Sequence, residues 1–216
     1  MNIGQMGGTF IPIHRVHLRI AEEARDLCGL DRVLFIPAAD PPHKPLAGDV
    51  SFAVRCEMVR LAIAGTAAFE LSAIEGQREG KSYSIDTIRF FRTQRPDDRL
   101  FFIIGSDSFF EIGLWHRYAE IFRSCSLIVV ERPGRPVADP LEALPVAIRG
   151  EFSYTDTPPG LQHAAGHHVH ILKGRPLDIS STVIRSLAAA GSPITHLVPP
   201  AVEAYIRSQR IYTECQ

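Results

Sequence analysis

The sequence predicts an α/β fold: a doubly wound (Rossmann-like) parallel sheet with helices on both faces. Three observations predict it. Residues 2–6 form a short stretch that reads as a strand and runs through a glycine turn into helical spacing over residues 19–27. Residues 32–36 (Arg-Val-Leu-Phe-Ile) follow as a second apolar run, which closes a right-handed βαβ unit. Residues 99–104 (Arg-Leu-Phe-Phe-Ile-Ile) are almost continuously apolar, as strands of a sheet covered on both faces are.

The remaining elements follow in order. Pro37 ends the second strand and opens a stiff loop, Pro-Ala-Ala-Asp-Pro-Pro-His-Lys-Pro over residues 37–45. Residues 51–64 read as a helix with Ser51 as its cap. Residues 69–74 alternate and read as a third strand. A helix then runs to about Gln94, with Ser82 or Ser84 placed to cap it. After the 99–104 strand come a helix over 118–123 and a strand over 126–130. Residues 134–166 carry many prolines and glycines; they read as a peripheral insertion with one short helix at 139–149. Residues 168–172 form a last strand. Three hydroxyl residues then open a helix that Gly191 stops, and Pro200 starts the final helix. The chain reads as one domain over 1–216, with C-terminal helices over 181–210.

Bulk properties narrow the function classes. The chain of 216 residues is 45% apolar and 22% charged, with formal net charge −1. Such a balance gives no general attraction to nucleic acid or to a membrane surface, so neither is expected as a partner. No run of about 18 apolar residues is present to span a bilayer. The glycine turn begins at residue 7, so no leader is expected and a cytoplasmic location with reduced thiols is the default. Cys28, Cys56, Cys125 and Cys215 are scattered without a C-x-x-C pair, and no protein side chain is assigned to a metal. His163, His167, His168 and His170 cluster, but exposed or strand-edge histidines are the favoured reading. A homo-oligomer is compatible with the sequence.

The chemistry-bearing residues gather in a few stretches. Gly7 and Gly8 allow close approach of backbone to a phosphate. His14 and His17, three apart at a helix start, offer imidazole donors to phosphoryl oxygens where charge builds up. Strand, glycine turn and helix together make an anion site. Ser180, Ser181, Thr182 and Arg185 make a second one, and the fold can bring both to one place. Lys44 lies in the proline loop at a strand's C-terminal end. Asp107 follows the buried strand in Gly105-Ser106-Asp107, and Trp115 is the only tryptophan. No Ser–His–Asp or Cys–His set is visible, so donors and cations are the available means of catalysis.

Thr9-Phe10, Pro12, His14 and His17 resemble the nucleotidyltransferase signature (T/S)-F-D-P-x-H-x-G-H, with Ile11 in place of the usual Asp or Asn and Val16 in place of Gly. The wider series GGTF…HxxH, PPHK, SYSIDT, GSD…W, ISSTVIR and LVPPAVEAYI, over residues 6–212, resembles the bacterial nicotinate-nucleotide adenylyltransferases. That resemblance implies transfer of AMP from Mg·ATP to nicotinate mononucleotide in NAD biosynthesis, with pyrophosphate released and Mg2+ carried by ATP. It implies Thr9, His14 and His17 at the ATP phosphates, and Ser180, Ser181, Thr182 and Arg185 at the far phosphates. His14, His17 and Arg185 are the expected catalytic set. Gly7, Gly8, Phe10, Gly105 and Ile179 complete the ATP site, with Asp107 near the ribose or the metal. Lys44 is expected at the mononucleotide phosphate, and Tyr83, Ser84 and Trp115 around the pyridine ring.

Two other readings stand beside it. One is adenylyl transfer to nicotinamide mononucleotide or phosphopantetheine. The other is a nucleotide-binding module whose catalysis has lapsed, which Ile11 and Val16 favour. A dinucleotide-binding oxidoreductase fits poorly, because G-x-G-x-x-G is absent and Pro37 stands where an acidic residue would end the second strand.

Overall fold

The computed structural model describes residues 1–42, 50–156, 159–173 and 179–213. Its strands are β1 (Asn2–Gly8), β2 (Arg32–Pro37), β3 (Phe69–Leu71), β4 (Arg99–Gly105), β5 (Ser126–Val130), β6 (Phe152–Asp156), β7 (Pro159–His163) and β8 (His168–Leu172). Its α-helices are α1 (Arg15–Cys28), α2 (Phe52–Ile63), α3 (Ser84–Gln94), α4 (Ser106–Phe110), α5 (Tyr118–Ser124), α6 (Val146–Arg149), α7 (Ser181–Ala189) and α8 (Pro200–Ser208). The strands run in the order β3-β2-β1-β4-β5-β8-β7-β6. The β1/β4, β4/β5 and β5/β8 pairs are parallel, while β8/β7 and β7/β6 are antiparallel. The fold is the α/β, largely parallel sheet that the apolar runs predict.

The chain divides into two compact units. The first comprises Met1–Gly7, Ile20–Val33 and Tyr83–Pro176, and the second Gly8–Arg19, Leu34–Ser82 and Leu177–Gln216. In the first unit, β4 and β5 bury nearly every side chain, and Ile85 and Ile88 of α3 and Phe122 of α5 are buried as well. Gly4 fits because a Cβ there would stand 2.8 Å from Leu30 Cδ1, which packs down on the strand. In the second unit, Phe10, Ile13, Phe35, Met58, Ile184 and Val202 are all buried. Ser51 caps α2 by accepting the Val54 N–H at 3.3 Å, as its position predicts.

Three expectations give way. The 139–149 helix shrinks to Val146–Arg149, and the rest of the insertion supplies the β6–β7 hairpin. The hairpin escapes a periodicity reading because β6 is an edge strand with three of its five side chains exposed. Gly160 in β7 is required by close approach, since a Cβ there would collide with the Val169 carbonyl of β8. The third strand ends at Leu71, and a 3-10 turn occupies Ile74–Gln77. Neither Ser82 nor Ser84 caps α3: Tyr83 is the N-cap residue and makes no side-chain cap bond.

Candidate active site

The second unit brings together the two stretches expected to bind anions, which the sequence separates by some 170 residues. After Gly8 the backbone turns through Phe10, whose φ is +49°, and the cis Ile11–Pro12 peptide before α1 begins at Arg15. The Phe10 ring folds back on Gly8, where a Cβ would lie 3.1 Å from it. That contact explains the second glycine of the pair. The ring also meets His17 edge-on, with centroids 5.1 Å apart.

His14 precedes the helix and His17 lies in its first turn. The His14 backbone N–H donates to His17 Nδ1 at 3.2 Å, and the rings lie 3.8 Å apart at 32°. A ring nitrogen that accepts carries no proton, so the neutral tautomer of His17 bears its hydrogen on Nε2 and presents a donor there. The sequence placed both histidines on one helical face. The two rings do lie together, with His14 as the residue that enters the helix and His17 as the side chain that caps it.

Helix α7 is fastened to this turn. Ser180 caps the helix by accepting the Val183 N–H at 3.3 Å. The Ser181 hydroxyl donates to the Pro12 carbonyl at 3.2 Å, and Arg185 Nη1 donates to the Ile11 carbonyl at 2.8 Å. Arg185 Nη2 reaches the Thr182 hydroxyl at 3.1 Å. A guanidinium has five N–H donors, so three beyond these remain to the group. Ile179 is half-buried just ahead of the cap.

The first unit carries the other expected residues. Gly105 is the N-cap of α4 and Asp107 lies in its first turn. Asp107 pairs with Arg132 Nε at 3.1 Å, and the Arg132 backbone N–H donates to the Ser106 hydroxyl at 3.1 Å. Asp107 is therefore an ion-paired carboxylate rather than a helix cap. Trp115 is half-buried and meets Phe102 edge-on at 6.2 Å, while Tyr83 lies 4.4 Å from the His116 ring at 30°. Ser84 is the first residue of α3. Lys44 lies outside the described residues.

Comparison with known proteins decides the family. The cytidylyltransferase-like family model matches residues 5–187. A probable nicotinate-nucleotide adenylyltransferase of Pelobacter propionicus is 71% identical over 215 residues, covering 100% of both chains. The chain belongs to the nicotinate-nucleotide adenylyltransferase family.

A second relative of that name, from Geobacter metallireducens, is 56% identical over 99% of both chains. Among solved structures, the Plasmodium falciparum nicotinic acid mononucleotide adenylyltransferase complexed with NaAD superposes with a TM-score of 0.74 at 18% identity, over 98% of this chain and 97% of that one. At that identity the likeness speaks for the fold. Nucleotidyltransferases of this kind generally take their nucleotide together with a divalent metal ion. Among the described residues no group of three or more His, Cys, Asp or Glu gathers to hold one. Among the same residues, no helix is long and apolar enough to cross a membrane.

The two departures from the nucleotidyltransferase signature have distinct settings. Ile11 is 2% exposed, so its side chain serves the core while its carbonyl receives Arg185. Val16 is half-buried in the first turn of α1.

Three residues brace the candidate site in ways that sequence reasoning did not assign. Ser82 accepts the backbone N–H groups of Ala39 and Asp40, each at 3.1 Å, and so ties down the loop after β2. Arg132 holds Asp107. Arg55 is fully buried in α2. Its signal was legible as a charge in register with Met58 and Val59 on the inward face of a helix. The clustered histidines differ from expectation as well. His163 is 4% exposed, bonds Glu151 through Nε2 at 3.0 Å and accepts the Ala165 N–H at Nδ1.

Proposed function

We propose that the chain transfers AMP from Mg·ATP to nicotinate mononucleotide, giving nicotinate adenine dinucleotide and pyrophosphate. In this reading a phosphate oxygen of the mononucleotide attacks the α-phosphorus of ATP. The new P–O bond forms as the bond to the bridging oxygen of pyrophosphate breaks, and that oxygen keeps the electron pair. A phosphate monoester is already ionised near pH 7, so no protein base is required, and positioning with charge stabilisation carries the catalysis.

The observation that supports this most is the fastening of α7 to the histidine turn through Ser181–Pro12 and Arg185–Ile11. It gathers a helix start, an imidazole donor and a guanidinium in one unit, which is what a polyphosphate needs. His14, His17 and Thr9 then meet the ATP phosphates, and Ser180, Ser181, Thr182 and Arg185 the far phosphates. Gly7, Gly8, Phe10, Gly105 and Ile179 serve ATP, and Asp107 lies near the ribose or the metal. Lys44, Tyr83, Ser84 and Trp115 serve the mononucleotide, with Trp115 stacking on the pyridine ring. Mg2+ enters bound to ATP and offsets phosphate charge. The whole chain works as one nucleotidyltransferase in the cytoplasm, where its thiols stay reduced. Burial raises the Cys28 thiol to about 11 and the Cys125 thiol to about 12, so neither is a nucleophile near neutrality.

The test is pyrophosphate release from Mg·ATP with nicotinate mononucleotide, nicotinamide mononucleotide and phosphopantetheine in parallel. Release with the first and far less with the others is expected. Tight ATP binding without release would favour the module whose catalysis has lapsed.

A further inference from the structure

Arg55 is an unusual residue for the interior of a helix packed into a core. It is 0% exposed, and burial pulls its pKa below the ordinary arginine value, opposed by Cys56, Tyr212 and Glu75 nearby. A buried cation costs stability unless its donors are met, and an apolar side chain of similar volume fills such a space without that cost. What the guanidinium does here is specific. Its Nη1 donates to the Thr9 carbonyl at 3.0 Å and to the Ala38 carbonyl at 2.6 Å. Its carbon lies 5.4 Å from the centre of the Phe52 ring, so the stem is held by a ring contact as well.

The two carbonyls belong to two different chain segments. Thr9 directly follows the glycine pair at the end of β1. Ala38 directly follows β2 and opens the proline loop. The Ala38 N–H also donates to the Gly8 carbonyl at 2.8 Å. Residues 8, 9 and 38 are thus joined by three hydrogen bonds, two of them charge-assisted and both from one nitrogen.

We propose that Arg55 is a positioning residue for adenylyl transfer, holding the Gly8–Thr9 turn and the start of the loop after β2 at a fixed spacing from beneath. This rests on the function proposed above. Arg55 touches no substrate in this account; it acts through the backbone of Thr9 and Ala38.

The experiment compares wild type, Arg55→Met and Arg55→Lys by thermal melting, by kcat and KM for Mg·ATP and nicotinate mononucleotide, and by calorimetric ATP affinity. Arg55→Met removes a buried charge but leaves the Thr9 and Ala38 carbonyls without their donor, so it is expected to fold with a Tm within a few degrees of the wild type. Its kcat/KM should nonetheless fall at least 30-fold, with KM raised for both substrates. Arg55→Lys keeps the charge and can reach one carbonyl, so it should recover part of the loss. A folded Arg55→Met with unchanged kcat/KM overturns the proposal. So does failure of both variants to fold, which would make the arginine purely structural. If wild type itself releases no pyrophosphate, the functional reading fails separately and ATP affinity decides: a tenfold loss in Arg55→Met upholds the positioning role, and unchanged affinity overturns it.

Discussion

His17 Nδ1 accepts the backbone N–H of His14 across 3.2 Å. One side chain thereby satisfies an orphan donor at the start of α1 and fixes its own tautomer. In the proposed function, Nε2, which carries the proton, is the edge that meets a phosphoryl oxygen. In the same reading, capping and catalysis fall to opposite edges of this ring, and substitution separates them.

His17→Ala removes both. Turnover is expected to fall about a hundredfold or more, the usual cost of losing one aimed transition-state donor. Stability should fall by about 1 kcal/mol, as for a lost helix cap. His17→Asn can still accept the His14 N–H, so its melting temperature should stay near wild type while turnover falls as in the alanine variant. Near-normal turnover in either variant would remove His17 from the catalytic set.

Ser82 and Lys81 both reach the loop after β2, by different means. Ser82 accepts two backbone N–H groups and is 9% exposed, whereas Lys81 makes a solvent-exposed ion pair with Asp40 at 2.8 Å. Exposed pairs are worth little, while removing a buried acceptor leaves its donors unmet. Ser82→Ala should cost about 1–2 kcal/mol in urea unfolding and raise KM for the mononucleotide several-fold. Lys81→Ala should leave both quantities nearly unchanged. Equal effects from the two would contradict this ranking.

A Cβ at Gly105 would stand 2.9 Å from Arg132 Nε. Gly105 has φ −78°, so alanine carries no backbone strain there, and the exposed arginine can swing aside. The cost falls on the Asp107–Arg132 pair. Gly105→Ala is expected to melt within a few degrees of wild type and to raise KM for Mg·ATP about tenfold, by analogy with other misplaced binding groups. Steady-state kinetics with ATP as the varied substrate checks it.

His170 lies in β8, and burial, aided by the neighbouring His168, lowers its pKa from 6.5 to about 4. His167 is lowered as well, by burial and Arg92. Between pH 6.5 and 4 the unfolded chain binds more protons at such sites than the folded one. Stability is therefore fully present above about pH 6.5 and falls as pH drops, by at most about 1.4 kcal/mol per pH unit for each site. Melting temperatures between pH 6.5 and 4.5, above the carboxylate range, should decline, and His170→Leu should flatten the curve. A flat wild-type profile would contradict the assignment.

The fold was legible where burial is two-sided. The strands at 99–104 and 126–130 are apolar after their first residues, and their bounds in the structure agree to within one residue. The hairpin at β6 and β7 was illegible because an edge strand shows solvent half its side chains. Within the site, the glycine turn and the serine-rich helix start were readable from residue type. What fastens them was not: Arg185 and Ser181 act on the backbone carbonyls of Ile11 and Pro12, and carbonyls are the same in every residue. Ser82 read as a helix cap for the same reason, since the groups it meets belong to the distant Ala39 and Asp40. Arg55 was visible as a charge on an apolar helix face, but its purpose depended on two carbonyls that only the fold brings together.

The most direct measurement is pyrophosphate release by the wild-type protein with Mg·ATP and each of three acceptors. The account predicts rapid release with nicotinate mononucleotide and at least tenfold slower release with nicotinamide mononucleotide or phosphopantetheine. Equal or greater release with another acceptor would contradict the assignment of Tyr83, Ser84 and Trp115 to the pyridine ring. ATP binding with no release from any acceptor would contradict the catalytic role given to the His14–His17 turn.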